Sequence, residues 1–254
     1  AMEECERGIL FLDEITSAPP AVQAPAYQVV LDRKCNGFSI PDGWMVVCAG
    51  NRQSDRGVTF NVAAPLLNRM TELEVDTVLD DVLEHGAISG LDPRVMAFLK
   101  SRADLLHKFE GKAYVGKQFP TPRGWFAVSD KLTITTSDAE RVELIKGDVG
   151  HEAAVAFEQF MRVWETMPSI DAIFEEPEKV EVPEKLDVRY CVSMGVSARI
   201  TKDNFATAWR YLKRMPSEFQ VLVVLLAYKR DPGLTRSPAF SEWTRDNSAA
   251  FNRT

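Results

Sequence analysis

Apolar residues in roughly the first third of the chain come in short blocks, and beyond that they recur at helical spacing. The first block, Ile9-Leu10-Phe11-Leu12, opens at Gly8 and closes on two acids, Asp13 and Glu14. A run so short and so uniformly apolar reads as a strand buried on both faces, as in a parallel sheet flanked by helices. Trp44-Met45-Val46-Val47-Cys48-Ala49-Gly50 reads as a second buried strand, ending at Asn51-Arg52. Glu72-Leu73-Glu74-Val75-Asp76 alternates and reads as a third. Between the first two, Ser17 is placed to cap a helix with Pro19 and Pro20 in its first turn and Val22, Tyr27, Val30 and Leu31 on its apolar face. Asn36-Gly37 and Pro41-Asp42-Gly43 are turn signals. A loop over 53–57 and a short helix through Leu66, Leu67 and Asn68 to Arg69 join the second and third strands. Strand, helix, strand, helix, strand predicts an α/β arrangement on a parallel sheet.

From Asp92 onward the pattern is helical. Asp92 caps and Pro93 opens a helix carrying Val95, Met96, Phe98, Leu99, Leu105, Leu106 and Phe109. Thr121 and Pro122 open a second, with Trp125, Phe126, Val128 and Leu132 inside. Asp138 caps a short helix ending near Gly147, and Asp148 opens a longer one with Val155, Phe157, Phe160, Met161 and Trp164. Residues 166–187 are rich in Pro and Glu and read as a solvated connector. Helices follow near 188–199, 203–214 and 217–230, the last with Ser217 and Gln220 spaced as a capping box. A final short helix starts at Ser237-Pro238.

Bulk properties narrow the class. With 45% hydrophobic and 26% charged residues, the 254-residue chain has the make-up of a soluble globular protein of one or two domains. A formal charge of −7 argues against nucleic acid and anionic membranes as partners, because phosphate contacts need an excess of Lys and Arg. The longest apolar run, Val221 to Ala227, is a buried helix segment and not a membrane span. Ala1-Met2 reads as a tag remnant, and the acidic start has no signal-peptide pattern. Cys5, Cys35, Cys48 and Cys191 lack CxxC spacing and read as reduced thiols of a cytoplasmic protein. His85, His107 and His151 stand apart and suggest no metal site.

Four polar features then stand in chain order: Asp13-Glu14, Asn51, Arg69 and Arg123. With their surroundings, GILFLDEI, WMVVCAGNR, PLLNRM followed by ELEVD, and TPRGW, they resemble the AAA+ ATPases and in detail the MoxR-like branch. The resemblance covers residues 8 to about 165, and on weaker grounds the helical tail. It implies an α/β fragment, a partial AAA+ parallel sheet at 1–78, then an all-α lid at 79–165, the connector at 166–187 and a helical C-terminal extension at 188–254, mainly helical overall. It also implies ATP and Mg²⁺ as cofactors. Asp13 would hold the metal, Glu14 would act as base or water-positioner, and Asn51 would sense the γ-phosphate. Arg69 would be the finger offered to a neighbouring subunit, with Arg52 and Arg56 nearby as competitors, and Arg123 a second sensor. Such proteins form hexameric rings and remodel a protein partner, typically one with a von Willebrand A-type domain.

The family's P-loop, G-x-x-x-x-G-K-[ST], has no match in the chain. The resemblance therefore implies an N-terminally truncated ATPase, inactive by itself, whose sheet lacks the strand between Asn51's and Glu72's and is rearranged, closed by a neighbour or poorly ordered. A rival reading stays open: a non-enzymatic helical interaction module with a vestigial nucleotide site.

Overall fold

The computed structural model describes residues 5–35, 37–52, 60, 62, 64–109, 117–134 and 137–247. The expected loop at 53–57 (with Arg56) and Asn36 of the Asn36-Gly37 turn lie outside them. The protein is mainly helical, with a small parallel sheet, and divides into two compact units, residues 1–75 and 76–254.

In the first unit, β1 (Gly8–Leu12) leads through a 3₁₀ turn at Ile15–Ser17 into α1 (Pro20–Asp32). The chain returns through the two-residue strands β2 (Lys34–Cys35) and β3 (Phe38–Ser39) to β4 (Trp44–Cys48), then reaches α2 (Ala64–Leu67). β1 and β4 pair in parallel, Gly8 opposite Trp44 through Leu12 opposite Cys48. α1 stops at Arg33, held in the left-handed region at φ 54°, where its guanidinium donates to the Pro41 and Trp44 carbonyls at 2.7 Å each.

Two expectations need correction in this unit. Burial of β1 on both faces is not met: Ile9 and Phe11 are 65% and 55% exposed, and Met45, in register with Ile9, is 63% exposed. A pair of strands covered on one side leaves every second residue open. Nor is Glu72–Asp76 a strand, although β1 and β4 are; it has no regular secondary structure and no ladder, with Leu73 and Val75 80% and 88% exposed. Alternation makes a strand only beside a partner edge. The β4 edge away from β1 carries none among the described residues.

Among the described residues the second unit is helical, without strands. It comprises α3 (Leu79–Ser89), α4 (Pro93–Ser101), α5 (Pro122–Lys131), α6 (Asp138–Glu165), α7 (Ile170–Glu175), α8 (Leu186–Arg199), α9 (Phe205–Leu212), α10 (Ser217–Arg230) and α11 (Pro238–Asp246). α3 and α7 were not foreseen. The predicted caps on α4 and α5 form: Asp92 accepts from the Arg94 N–H at 2.8 Å and Thr121 from the Gly124 N–H at 3.0 Å. The capping box on α10 does not, because Pro216 occupies the cap position and Gln220 instead donates to the Met215 carbonyl at 2.7 Å.

Two cores meet at α8. One centres on Phe98, whose ring lies 5.0, 5.2 and 5.5 Å from those of Trp125, Phe157 and Phe160. Such pairs add about 0.5–1.5 kcal/mol each beyond area burial. The other gathers Phe205, Trp209, Tyr211, Phe219 and Trp243. Cys191 and Met194 of α8 belong to the first core, Val192 and Val196 to the second. The two helices expected within 138–165 break at Gly150 (φ 82°, ψ 169°), so that Arg141 reaches back to clasp Glu158 through two 2.8 Å hydrogen bonds.

The 166–187 segment is not simply solvated. It carries α7, buries Ile170, Ile173 and Pro177, and is pinned by Arg214, whose guanidinium donates to the carbonyls of Pro177, Glu178 and Val180 at 2.8–3.1 Å. Its isoleucines supply what its prolines and acids obscure. Among the described residues no helix is long and apolar enough to cross a membrane.

Candidate functional site

The carboxyl ends of β1 and β4 are tied together by two backbone hydrogen bonds. The Ala49 N–H donates to Leu12 and the Ile15 N–H donates to Ala49, both at 2.9 Å. Asp13 and Glu14 are thereby held beside Asn51, where open α/β sheets place their ligands. The Asp13 carboxylate accepts from the Glu14 N–H at 2.9 Å. Glu14 sits in the left-handed region at φ 54°, ψ 33°. For a residue other than Gly, Asn or Asp that conformation costs about 1–2 kcal/mol. It is sustained by what the side chain gains: its Oε2 accepts from Asn51 Nδ2 at 3.1 Å and from Ser17 Oγ at 2.8 Å.

Ser17 was read as the cap of α1. It does not cap that helix, which starts three residues later behind Pro19; it holds Glu14 instead. The signal was present as a hydroxyl three residues after an acid, close enough for a local side-chain bond. Gly50 is needed at this junction, since a Cβ there would meet Thr16 Oγ1 at 2.5 Å. Beyond Gly50 and Asn51 a cavity of about 450 Å³ opens, lined by Thr16, Cys48, Leu66 and the segment from Thr71 to Val75. Partial burial pushes the Cys48 thiol above its usual range. Arg52, on the same rim, pairs with Glu74 at 3.6 Å.

Comparison of the chain with protein-family models, curated proteins and solved structures gives no match.

Of the two expected arginines, Arg69 belongs to the unit of the acidic cluster and does not bond to it among the described residues. Arg69 lies in the turn after α2, exposed to solvent, and makes no side-chain hydrogen bond or ion pair among those residues. Arg123 is the second residue of α5, in the other unit, exposed and likewise unpaired among the described residues. A cation there opposes the helix dipole, so an anion nearby would stabilise it.

The donor set bears on cofactors. Among the described residues no three His, Cys, Asp or Glu side chains cluster as a metal cage. One exposed carboxylate, Asp13, is still what Mg²⁺ commonly takes from protein when phosphates and water supply its other ligands. A phosphate cradle is harder to find. Residues 111–118 read GKAYVGKQ, a G-x-x-x-x-G-K closed by Gln118 where Ser or Thr is required. The ordered element upstream of them is the 3₁₀ turn Ala103–Leu105 and not a strand, and 111–116 lie outside the described residues. The described residues thus offer one exposed carboxylate beside Glu14 and Asn51, and no phosphate cradle.

Proposed function

We propose that the chain is the C-terminal part of a MoxR-like AAA+ ATPase that would couple ATP hydrolysis to remodelling of a protein partner, this chain being inactive by itself for want of a P-loop. The observation that supports this reading is the grip of Asn51 and Ser17 on Glu14, beside Asp13, at the ends of two adjacent parallel strands. When bound, Mg·ATP supplies the transferable phosphoryl group and a cation that neutralises its charge.

The chain's own residues then divide the work. Asp13 would offer a carboxylate to the metal. In a completed site Glu14 would accept a proton from water, and its strained backbone and two donors fix where that carboxylate points. Asn51 orients Glu14 and keeps a second amide hydrogen for a phosphate oxygen. Arg69, exposed on the surface, suits a site completed by a neighbouring subunit in a hexameric ring, and Arg123 suits a sensor of phosphate charge, because a guanidinium stays cationic at any working pH. A von Willebrand A-type protein as the remodelled partner belongs to the same reading. Without a P-loop lysine and backbone cradle, affinity for ATP is expected to be weak.

Titration with a fluorescent ATP analogue tests this. The expected result is millimolar, Mg²⁺-dependent binding that disappears in Asp13→Asn. Binding that persists in Asp13→Asn or without Mg²⁺, or no binding at all, would refute it. The last outcome favours the rival, a helical interaction module with a vestigial nucleotide site.

A further inference from the structure

The helical unit carries an apolar stripe where a surface helix normally turns polar residues outward. α10 reads SEFQVLVVLLAYKR, apolar on every side. A helix of that kind is expected to be buried all round. Phe219, Val223, Val224, Leu226 and Ala227 are indeed buried. Val221, Leu222 and Leu225 are only partly covered. With Glu218 they fall at i, i+3, i+4 and i+7 and line one flank of a groove of about 350 Å³. Leu83 of α3 and Tyr190 of α8 help to floor it.

Charge around the groove is one-sided. Asp80, Glu84 and Glu218 line it against Lys100. Lys100 is engaged by Asp80 at 2.8 Å, and Lys229 beside the groove is engaged by Glu84 at 2.7 Å. Glu218 has no hydrogen-bond or ion-pair partner among the described residues, whereas Asp81, next to Asp80, lies within electrostatic reach of Lys229, and Arg189 rests over the Phe219 ring. Lys100 and Lys229 are thus engaged, and the Glu218 carboxylate on the groove's flank is left over.

We propose that this groove receives an amphipathic helix of a protein partner, with apolar side chains at helical spacing set against Val221, Leu222 and Leu225, and Lys or Arg beside Glu218. Apolar anchors at i, i+3, i+4 and i+7 in an apolar groove are the general means by which one helix is read by another surface. The basic flank follows from the residual negative charge, which also steers encounter. The inference does not rest on the nucleotide reading, since none of its residues belongs to the first unit.

The probe is a fluorescein-labelled leucine/lysine peptide with leucines at that spacing, titrated by anisotropy into the full chain, with a leucine/glutamate peptide as its charge-reversed twin. Expected are saturable binding of the lysine peptide, weaker binding of the glutamate peptide, and a loss of about tenfold or more in Leu225→Glu, the scale of one leucine anchor. Glu218→Lys, an exposed change that leaves packing intact, should weaken the lysine peptide and strengthen the glutamate one. Circular dichroism verifies that both variants fold. Equal binding by wild type and Leu225→Glu, or by the two peptides, overturns the proposal. So does chain self-association that Leu225→Glu abolishes, which would assign the groove to a second copy. Binding of octylammonium without the peptide would assign it to a small amphiphilic amine and overturn it equally.

Discussion

Two glycines three residues apart in α6 should respond oppositely to the same substitution. Gly150 has φ 82° and ψ 169°, and a Cβ built there would sit 2.4 Å from the Gln118 carbonyl oxygen. That backbone region is nearly closed to other residues and costs them about 1–3 kcal/mol. The clash falls on backbone, which cannot rotate away, and forced overpacking costs about 1–3 kcal/mol more. Gly150→Ala should therefore destabilise the helical unit by about 4 kcal/mol, which for a unit of this size lowers Tm by roughly 8–16 °C. Gly147 is an exposed interior position of the same helix, and an added methyl group there would meet nothing within 4 Å. There Ala should stabilise by about 0.5–1 kcal/mol, because glycine gives up more backbone entropy on entering a helix. Urea titration followed by circular dichroism at 222 nm, with slopes compared so that only the midpoint changes, measures both. Changes of the same sign, or a Gly150→Ala cost below about 1 kcal/mol, would refute the hinge drawn from these angles.

Thiol reactivity and alkaline stability supply further checks. Burial pushes the Cys191 thiol up to about 12, so an aromatic disulfide reagent at pH 8 should leave it unmodified until urea is added, while exposed Cys5 reacts at once. Tyr211 is also raised by burial to about 12, against ordinary values of 10.0 for Tyr and 9.0 for Cys. Both groups keep their protons longer folded than unfolded, so stability should fall as pH rises above about 9 and go on falling until about 12. A midpoint in urea that is flat from pH 8 to 11 would contradict this. Arg141 and Glu158 form a paired, two-bonded bridge whose side chains are 19% and 17% exposed. Removing either partner, as in Arg141→Met, should cost about 1–3 kcal/mol, and salt should change that cost little because the pair is mostly screened by protein.

Much of the fold was legible because it rests on local rules. Asp92-Pro93 and Thr121-Pro122 announce helix starts by chemistry that needs no distant partner. The elements that were not foreseen depend on neighbours. α3 carries two acids in its first turn and hides its apolar face behind Asp80, Asp81 and Glu84, and its Leu83 is buried by helices far along the chain. α7 is six residues long and sits in a segment whose composition speaks of solvent, yet Ile170 and Ile173 are drawn into the second core. Glu72–Asp76 fails for the complementary reason. Its alternation is intact, but a strand is a relation between two chains, and β4 offers it no ladder among the described residues.

The candidate site was legible as residue types at strand ends, and its geometry was not. Asp13, Glu14 and Asn51 could be placed together because a block of apolar residues puts its successor at the sheet's carboxyl edge. Nothing in that pattern says that Glu14 must adopt φ 54°, or that Ser17 leaves the helix cap to hold it. The two facts are linked. Left-handed backbone at Glu14 turns its carboxylate into reach of both Ser17 and Asn51, and those two bonds offset a conformation that an isolated glutamate would abandon. Helix α1 can spare Ser17 because Pro20 at its first position has no N–H to satisfy, so part of the work of a cap is already done. A proline that looks like a helix signal is thus also what frees a hydroxyl for the acid beside it. Such an exchange between a helix start and a site is visible once the side chains are placed, because both uses of Ser17 agree equally well with the order of residues.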